Sequence, residues 1–140
     1  MKTAGYSKTP LAKKLGIKEG LTIKLVNQPE NYFDLFEDFP ENINFENSNE
    51  IKKDLIHYFT KNEWELVNDI VLLRNELKEN GMIWVSWPKK ASKVPTDITE
   101  DTVRGLALKN GLVDIKVCAV DGIWSGLKLV IPVKDRKASR

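Results

Sequence analysis

Apolar and polar segments alternate along this chain in a way that predicts strands separated by helices. Short apolar runs bounded by Gly, Pro, Asn or Asp are typical of buried strands. The predicted strands cover residues 21–26, 43–46, 54–59, 82–87, 112–120 and 127–133. The last two form a hairpin, because two Gly-containing turns lie between them.

Apolar residues at helical spacing, together with capping residues, predict four helices. Thr9 is the predicted N-cap of a short helix that Gly16 ends, and Pro29 begins an aromatic-rich helix that Pro40 ends. In the third helix Thr60 and Glu63 form a capping-box pattern. Its predicted apolar side, through residue 78, consists of Trp64, Val67, Ile70, Val71 and Leu77. Asp97 is the predicted N-cap of the fourth helix, which Asn110 and Gly111 close.

The order of these elements predicts a three-layer, Rossmann-like α/β fold. Helices between strands imply a mostly parallel sheet with right-handed crossovers, to which the C-terminal hairpin adds an antiparallel part. Residues 1–133 form the single predicted domain, and residues 134–140 form a polar tail. Because such sheets bind ligands beyond the carboxyl ends of their parallel strands, we expect a site near residues 26–29, 59–60 and 87–90.

Composition excludes several classes of protein. The 140 residues suffice for one folded domain, and the net charge of +2 gives no basic field of the kind that nucleic acids attract. One cysteine and one histidine provide neither a disulfide nor a structural zinc site, which indicates a cytoplasmic protein. No apolar run approaches the length of a membrane span.

The lysine-rich stretch after residue 87 is the candidate ligand site. The predicted site residues in and around this stretch are Trp87, Lys89, Lys90, Ser92, Lys93 and Asp97. Trp124 and Ser125, from the predicted loop of the C-terminal hairpin, are expected near the same edge. Lysines and a helix N-terminus both favour anions, so a phosphate, a carboxylate or an acidic partner would fit. Trp87 and Trp124 offer rings that would stack on a ligand, although packing in the core or anchoring of a loop explains them as well.

Single residues of catalytic type fit structural roles better. His57 lies inside an apolar strand, where a hydrogen-bonded structural role is expected in place of a general base. Ser86 lies one predicted strand away, but no glycine-flanked nucleophile elbow surrounds it. Cys118 is predicted to be a buried packing residue.

Long segments of the chain resemble a known family. These segments are residues 5–16, 84–93, 96–101, 111–120 and 124–130, and they look like the bacterial domain-of-unknown-function family 3052. The resemblance runs nearly end to end, and the family implies no established activity.

The layout is also similar to that of class I S-adenosylmethionine-dependent methyltransferases. Residues 15–23 and 77–85 resemble the entries to two of their strands. Those enzymes place a glycine-rich turn after the first strand, whereas residues 26–31 contain no glycine, and one strand–helix unit is missing. The resemblance therefore implies the fold and argues against the usual mode of cofactor binding.

Three functional hypotheses follow. The favoured one is a non-catalytic binding or regulatory module with an anion-accepting edge at residues 87–97. The second is an unorthodox transferase that binds S-adenosylmethionine or a nucleotide-like ligand over Trp87. The third is an interaction module whose acidic segment, residues 30–50, docks a basic protein; residues 28–50 hold seven acidic residues and no Lys or Arg. The sequence assigns no cofactor and no set of metal ligands.

Overall fold

Strands and helices alternate along the chain as the sequence predicts. The structure is a computed structural model that describes residues 9–137. Its elements are α1 (Leu11–Leu15), β1 (Thr22–Val26), a 3-10 turn (Tyr32–Leu35), β2 (Asn44–Phe45), β3 (Lys53–Phe59), α2 (Glu63–Asn75), β4 (Leu77–Pro88), a 3-10 turn (Lys90–Ser92), α3 (Glu100–Lys109), β5 (Val113–Ala119), β6 (Trp124–Val130) and a 3-10 turn (Val133–Asp135).

The strands form one six-stranded sheet in the order β2-β1-β3-β4-β6-β5. β1 pairs in parallel with β2 and β3, and β3 pairs in parallel with β4. β6 runs antiparallel to both β4 and β5. The mostly parallel sheet and its C-terminal antiparallel hairpin confirm the predicted fold class. In this register the carboxyl ends of β1, β3 and β4 lie side by side.

Helices and an irregular segment cover the two faces of the sheet and make three layers. On one face, residues of α2 and α3 such as Leu66 and Val103 pack in the same cluster as Ile56 and Val85. On the other face, α1 and the aromatic segment 32–43 cover Trp84, whose indole nitrogen donates to the carbonyl of Leu15 at 2.8 Å.

The predicted helix from Pro29 to Phe39 is wrong, because only a 3-10 turn forms there. The backbone becomes extended at Phe36, and the aromatic rings pack on one another from irregular chain. The ring of Tyr32 lies 5.1 Å from that of Phe36 and 5.9 Å from that of Phe59, centroid to centroid. Contacts with the sheet, and not helical periodicity, therefore set the conformation of this segment.

The boundaries of α2 also differ from the prediction. Asn62 is the N-cap, and its side chain accepts a hydrogen bond from the backbone N–H of Glu65 at 2.7 Å. The Thr60 hydroxyl instead donates to the Glu65 carboxylate at 2.6 Å. The helix ends at Asn75, three residues earlier than predicted, because β4 already begins at Leu77.

Within α2 the buried side matches the predicted one only at Ile70. Leu66, Ile70 and Leu73 face the core, whereas Trp64 is 76% exposed and Val71 is 44% exposed. Both sets recur at helical spacing, so the pattern is apolar on two sides of the helix. The shape of the sheet decides which side is buried.

A charged cluster lies inside the fold where β3 begins. Lys53 is fully buried, and its ammonium lies 2.7 Å from Oε1 of Glu76, the residue that follows α2. Lys24 on β1 contacts the same carboxylate at 2.9 Å. Although burial raises the pKa of Glu76, hydrogen bonds from Lys53 and Lys24 lower it further, so the net pKa lies below its ordinary value.

Candidate functional site

The turn after β1 is hydrogen-bonded to the end of β3, at the carboxyl edge of the sheet. Asn27 adopts a left-handed conformation with φ of 59°. Asparagine takes this conformation more readily than most residues with a side chain. Its amide nitrogen donates to the carbonyl of Phe59, the last residue of β3, at 3.1 Å. The turn is therefore tight without the glycine that the methyltransferase resemblance would place there.

Residues 89–93, here called the lysine loop, follow β4 at the same edge. The backbone N–H of Lys89 donates to the carbonyl of Ile123 at 2.8 Å. The Ser92 hydroxyl donates to the carbonyl of Lys89 at 2.7 Å and accepts from the N–H of Val94 at 3.2 Å. Ser92 thus holds the loop together, and its hydroxyl is already engaged on both sides.

The three lysines of the loop are at least partly exposed to solvent. Lys90 and Lys93 are exposed and Lys89 is partly exposed. Within residues 9–137, no carboxylate forms an ion pair with any of the three. Their ammonium groups are therefore available to an anion from solution.

Asp97 does not cap α3 as the sequence predicts. Thr99 is the N-cap of α3 and forms a capping box with Thr102. The Asp97 carboxylate instead accepts the backbone N–H of Glu63, the first residue of α2, at 2.7 Å. The reason is that the segment before α3 packs against the start of α2, where an N–H group without a partner in the helix is close.

Replacing Asp97 with alanine should therefore destabilise the protein through α2. We expect a loss of about 1 kcal/mol in the free energy of unfolding, as is usual for a lost N-cap acceptor. Urea unfolding measures it, with Asp97→Asn as the matched control, because asparagine keeps an acceptor oxygen. Equal losses in both variants would mean that the hydrogen bond to Glu63 contributes nothing.

The two predicted site tryptophans lie on opposite faces of the sheet. Trp87 is 6% exposed and packs in the cluster beneath α2 and α3. Trp124 is 8% exposed and begins β6 instead of lying in the predicted loop. Its ring meets that of Phe59 edge-on, with the two ring centroids 5.0 Å apart. Ser125 is opposite Trp87 in the β4–β6 pairing. Trp87 lies just before the lysine loop in sequence, and Trp124 pairs with Pro88, the residue before the loop. Both rings face the core, and a ligand contact by either ring stays a prediction.

His57 belongs to a buried chain of three polar side chains. Its Nδ1 lies 3.0 Å from the Tyr32 hydroxyl, and its Nε2 lies 2.9 Å from the Ser86 hydroxyl. All three residues are at most 1% exposed. Burial lowers the pKa of His57 to about 3 and raises that of the Tyr32 hydroxyl. A neutral imidazole has one donor and one acceptor nitrogen, so it satisfies both neighbours.

This buried chain confirms the structural role predicted for His57. The sequence placed Ser86 one strand away, and parallel pairing of β3 with β4 brings it within reach. Tyr32 was missed, because it comes from irregular chain that the sequence pattern assigns to a helix. Cys118 is also buried, as predicted, and burial raises the pKa of its thiol.

The acidic segment serves the fold in part. Both carboxylate oxygens of Asp38 accept backbone N–H groups of α1, from Ala12 at 3.1 Å and from Lys13 at 3.2 Å. The N-cap of α1 is Pro10 and not the predicted Thr9, and proline has no side-chain acceptor. Docking of a basic partner on the rest of this segment stays a prediction.

Residues 9–137 contain no group of three or more His, Cys, Asp or Glu residues that would hold a metal ion. No helix among them is long and apolar enough to cross a membrane.

Comparison with known proteins assigns the chain to a family. The family model described as "Protein of unknown function (DUF3052)" matches residues 12–133, and the chain belongs to that family. No curated protein sequence matches the chain.

Solved structures of similar fold include methyltransferases. A SAM-dependent methyltransferase from Aquifex aeolicus aligns with a TM-score of 0.63 and 16% identity over 87% of this chain and 88% of its own. Ribosomal protein L11 methylase from Lactobacillus delbrueckii subsp. bulgaricus gives 0.58 and 14% over 86% and 74%. Magnesium protoporphyrin IX methyltransferase from Synechocystis PCC 6803, solved with bound SAM, gives 0.55 and 11% over 87% and 74%. At these identities the similarity shows the fold alone.

Proposed function

We propose that this member of the DUF3052 family is a cytoplasmic, non-catalytic binding module that accepts a small anionic molecule at the lysine loop. One observation carries the proposal: among residues 9–137 no carboxylate pairs with the three lysines, which follow β4 at the carboxyl edge of the parallel strands, where α/β sheets bind ligands. Within residues 9–137 the nearby Asp97 forms no ion pair with them, and its carboxylate accepts the backbone N–H of Glu63 instead.

The chemistry of the loop favours a phosphoryl or carboxyl group. Ammonium groups form short, charge-assisted hydrogen bonds with such oxygens. The helix N-termini add little, since Thr99 caps α3 and Asn62 caps α2. Recognition therefore rests on Lys89, Lys90 and Lys93, and we expect binding to weaken as salt concentration rises.

Side chains of catalytic type support a binding role. The hydroxyls of Tyr32 and Ser86 and the imidazole of His57 are buried and engaged with one another. The Cys118 thiol is buried too, and its raised pKa keeps it protonated. In this arrangement these groups stabilise the fold and do not face a ligand at the lysine loop.

Charge reversal in the loop tests the proposal. We expect thermal stabilisation of the full chain by at least one member of a panel of inorganic phosphate, nucleotides and phosphorylated sugars. A ligand at about a hundred times its Kd stabilises by about 2.7 kcal/mol, which raises Tm by several degrees. The double variant Lys89→Glu/Lys90→Glu should abolish the shift, because it replaces two attractive charges with repulsive ones.

Lys18→Glu is the matched control, because Lys18 is an exposed turn lysine outside the loop. It should keep the full shift. An unchanged shift in the double variant, or a panel that stabilises nothing, would refute the proposal.

A second function, binding of S-adenosylmethionine, is favoured by one local feature. Asn27 gives the turn after β1 the left-handed backbone that a glycine would adopt there, and proteins of this fold have been solved with SAM bound. Titration with S-adenosylmethionine and with its demethylated product, followed by calorimetry, tests it. Saturable binding that persists in the Lys89→Glu/Lys90→Glu variant would favour this function over the first; no heat at millimolar ligand would dismiss it.

A further inference from the structure

A cleft opens at the edge of the sheet opposite the lysine loop. It lies where β4 begins and α2 ends, and its volume is about 680 Å³. Pockets of roughly 300–1,000 Å³ accommodate small-molecule ligands. The cleft therefore has room for a ligand of the size of a nucleotide or a phosphorylated sugar.

Cationic side chains dominate its lining. Lys52, Arg74, Lys78 and Arg136 line the cleft, and Glu79 is the acidic residue among the lining side chains. These four cations come from three separate parts of the chain: the residue before β3, the stretch from α2 into β4, and the segment after β6. The fold thus concentrates positive charge at a concave surface, which attracts anions more strongly than a flat one.

Three of these cations are fixed by bonds within the protein. The Lys52 ammonium donates to a backbone carbonyl at the end of α2. The Lys78 ammonium lies 3.0 Å from Oδ1 of Asp54, and Nε of Arg136 donates to the carbonyl of Ile131 at 2.8 Å. A lining that is already ordered loses less conformational entropy when a ligand binds. Binding at this cleft is therefore less costly than binding on a mobile surface of equal charge.

Arg74 has its guanidinium available. It lies against Gly111, where a Cβ would come within 3.1 Å of its Nε; Gly111 has φ of 75°, which favours glycine. Across residues 9–137 no carboxylate forms an ion pair with Arg74. A guanidinium with free N–H groups binds a phosphoryl or carboxyl group through two parallel hydrogen bonds.

The remaining lining is suited to an organic ligand. Leu77 and Ile131 are buried and give the cleft an apolar floor, while the exposed Asn75 and Asn80 add amide groups at its rim. Apolar walls with a few converging polar groups are typical of ligand pockets.

We infer that this cleft binds a small organic anion, with its phosphoryl or carboxyl group on Arg74 and its less polar part over Leu77 and Ile131. The site is separate from the lysine loop and goes beyond the proposed function. The two sites share no residues, so each can be tested independently.

Titration of the ¹⁵N-labelled full chain with pyrophosphate tests the inference. We expect saturable shifts at the backbone amides of residues 74–80 and at Arg74 Nε. Arg74→Gln should weaken this binding about tenfold or more, because it removes a charged, bidentate donor. Arg74→Lys should restore it only in part, because an ammonium keeps the charge and loses the fork.

Two control variants make the outcome decisive. Lys109→Gln removes an exposed lysine of α3 outside the cleft and should leave pyrophosphate binding unchanged. Lys89→Gln/Lys90→Gln should leave the shifts at residues 74–80 intact, which separates this site from the lysine loop. Shifts confined to residues 89–93, or equal affinity in the wild type and Arg74→Gln, would overturn the inference whatever the lysine loop does.

Discussion

Replacing Glu76 with glutamine should lower the free energy of unfolding by about 3–5 kcal/mol, the usual cost of leaving a buried charge unpaired. The Lys53 side chain is 0% exposed and the Glu76 side chain 9% exposed, and their charged atoms are 2.7 Å apart. Lys53 also donates to the carbonyl of Ser48, but a carbonyl oxygen does not neutralise an ammonium. Urea unfolding of the full chain measures the loss.

A double variant controls this experiment. Lys53→Met/Glu76→Gln removes the stranded charge and should recover a large part of the lost stability, since a buried ion pair replaced by uncharged groups of similar volume is often tolerated. Surface ion pairs contribute less than about 1 kcal/mol. If the single variant loses no more than this in its free energy of unfolding, solvent reaches Lys53.

The stability of the protein should also fall as the pH drops below 6.5, because His57 is buried as the neutral imidazole. Its pKa is lowered by burial from 6.5 to about 3. Between these two values the unfolded chain binds a proton that the folded protein excludes, so acid favours unfolding. Above pH 6.5 this effect is absent. Below pH 6.5 it lowers the free energy of unfolding by about 1.4 kcal/mol for each pH unit, until the folded protein also binds the proton near pH 3.

His57→Gln is the informative variant, because glutamine does not titrate and can both donate and accept a hydrogen bond. Its free energy of unfolding should be lower at neutral pH but should lack this acid slope. The two proteins are best compared between pH 6.5 and pH 4.5, which are the ordinary pKa values of His57 and Glu76. Glu76 has a lowered pKa, so its own contribution is present above 4.5 and is lost only as the pH falls further. Parallel curves for wild type and variant would show that His57 titrates normally.

The sheet could be predicted from the sequence because its strands are short, apolar and bounded by strong turn residues. The predicted strand 54–59 matches β3 within one residue. Strands of this kind are fixed by local pattern, and their alternation with helices fixes parallel pairing. The lysine loop could be placed for the same reason, since it follows directly from the end of β4.

What the sequence did not predict depends on contacts between distant residues. Asp38 caps α1 from 25 residues away or more, and Asp97 caps α2 across 34 residues. Tyr32 joins His57 from a segment whose conformation is set by ring packing and not by periodicity. In α2 two apolar stripes compete, and only the position of the sheet buries Ile70 and leaves Trp64 exposed. The cationic cleft is of the same kind, because Lys52, Arg74 and Arg136 converge only after folding.

Amide spectra of the ¹⁵N-labelled full chain, titrated with a nucleoside monophosphate, will show whether the lysine loop accepts an anion. We expect saturable shifts at residues 89–93 and at Ile123, whose carbonyl accepts the N–H of Lys89. These shifts should weaken with added salt and vanish in Lys89→Glu/Lys90→Glu. If the amide signals of residues 89–93 do not shift up to millimolar ligand, the lysine loop does not bind this anion.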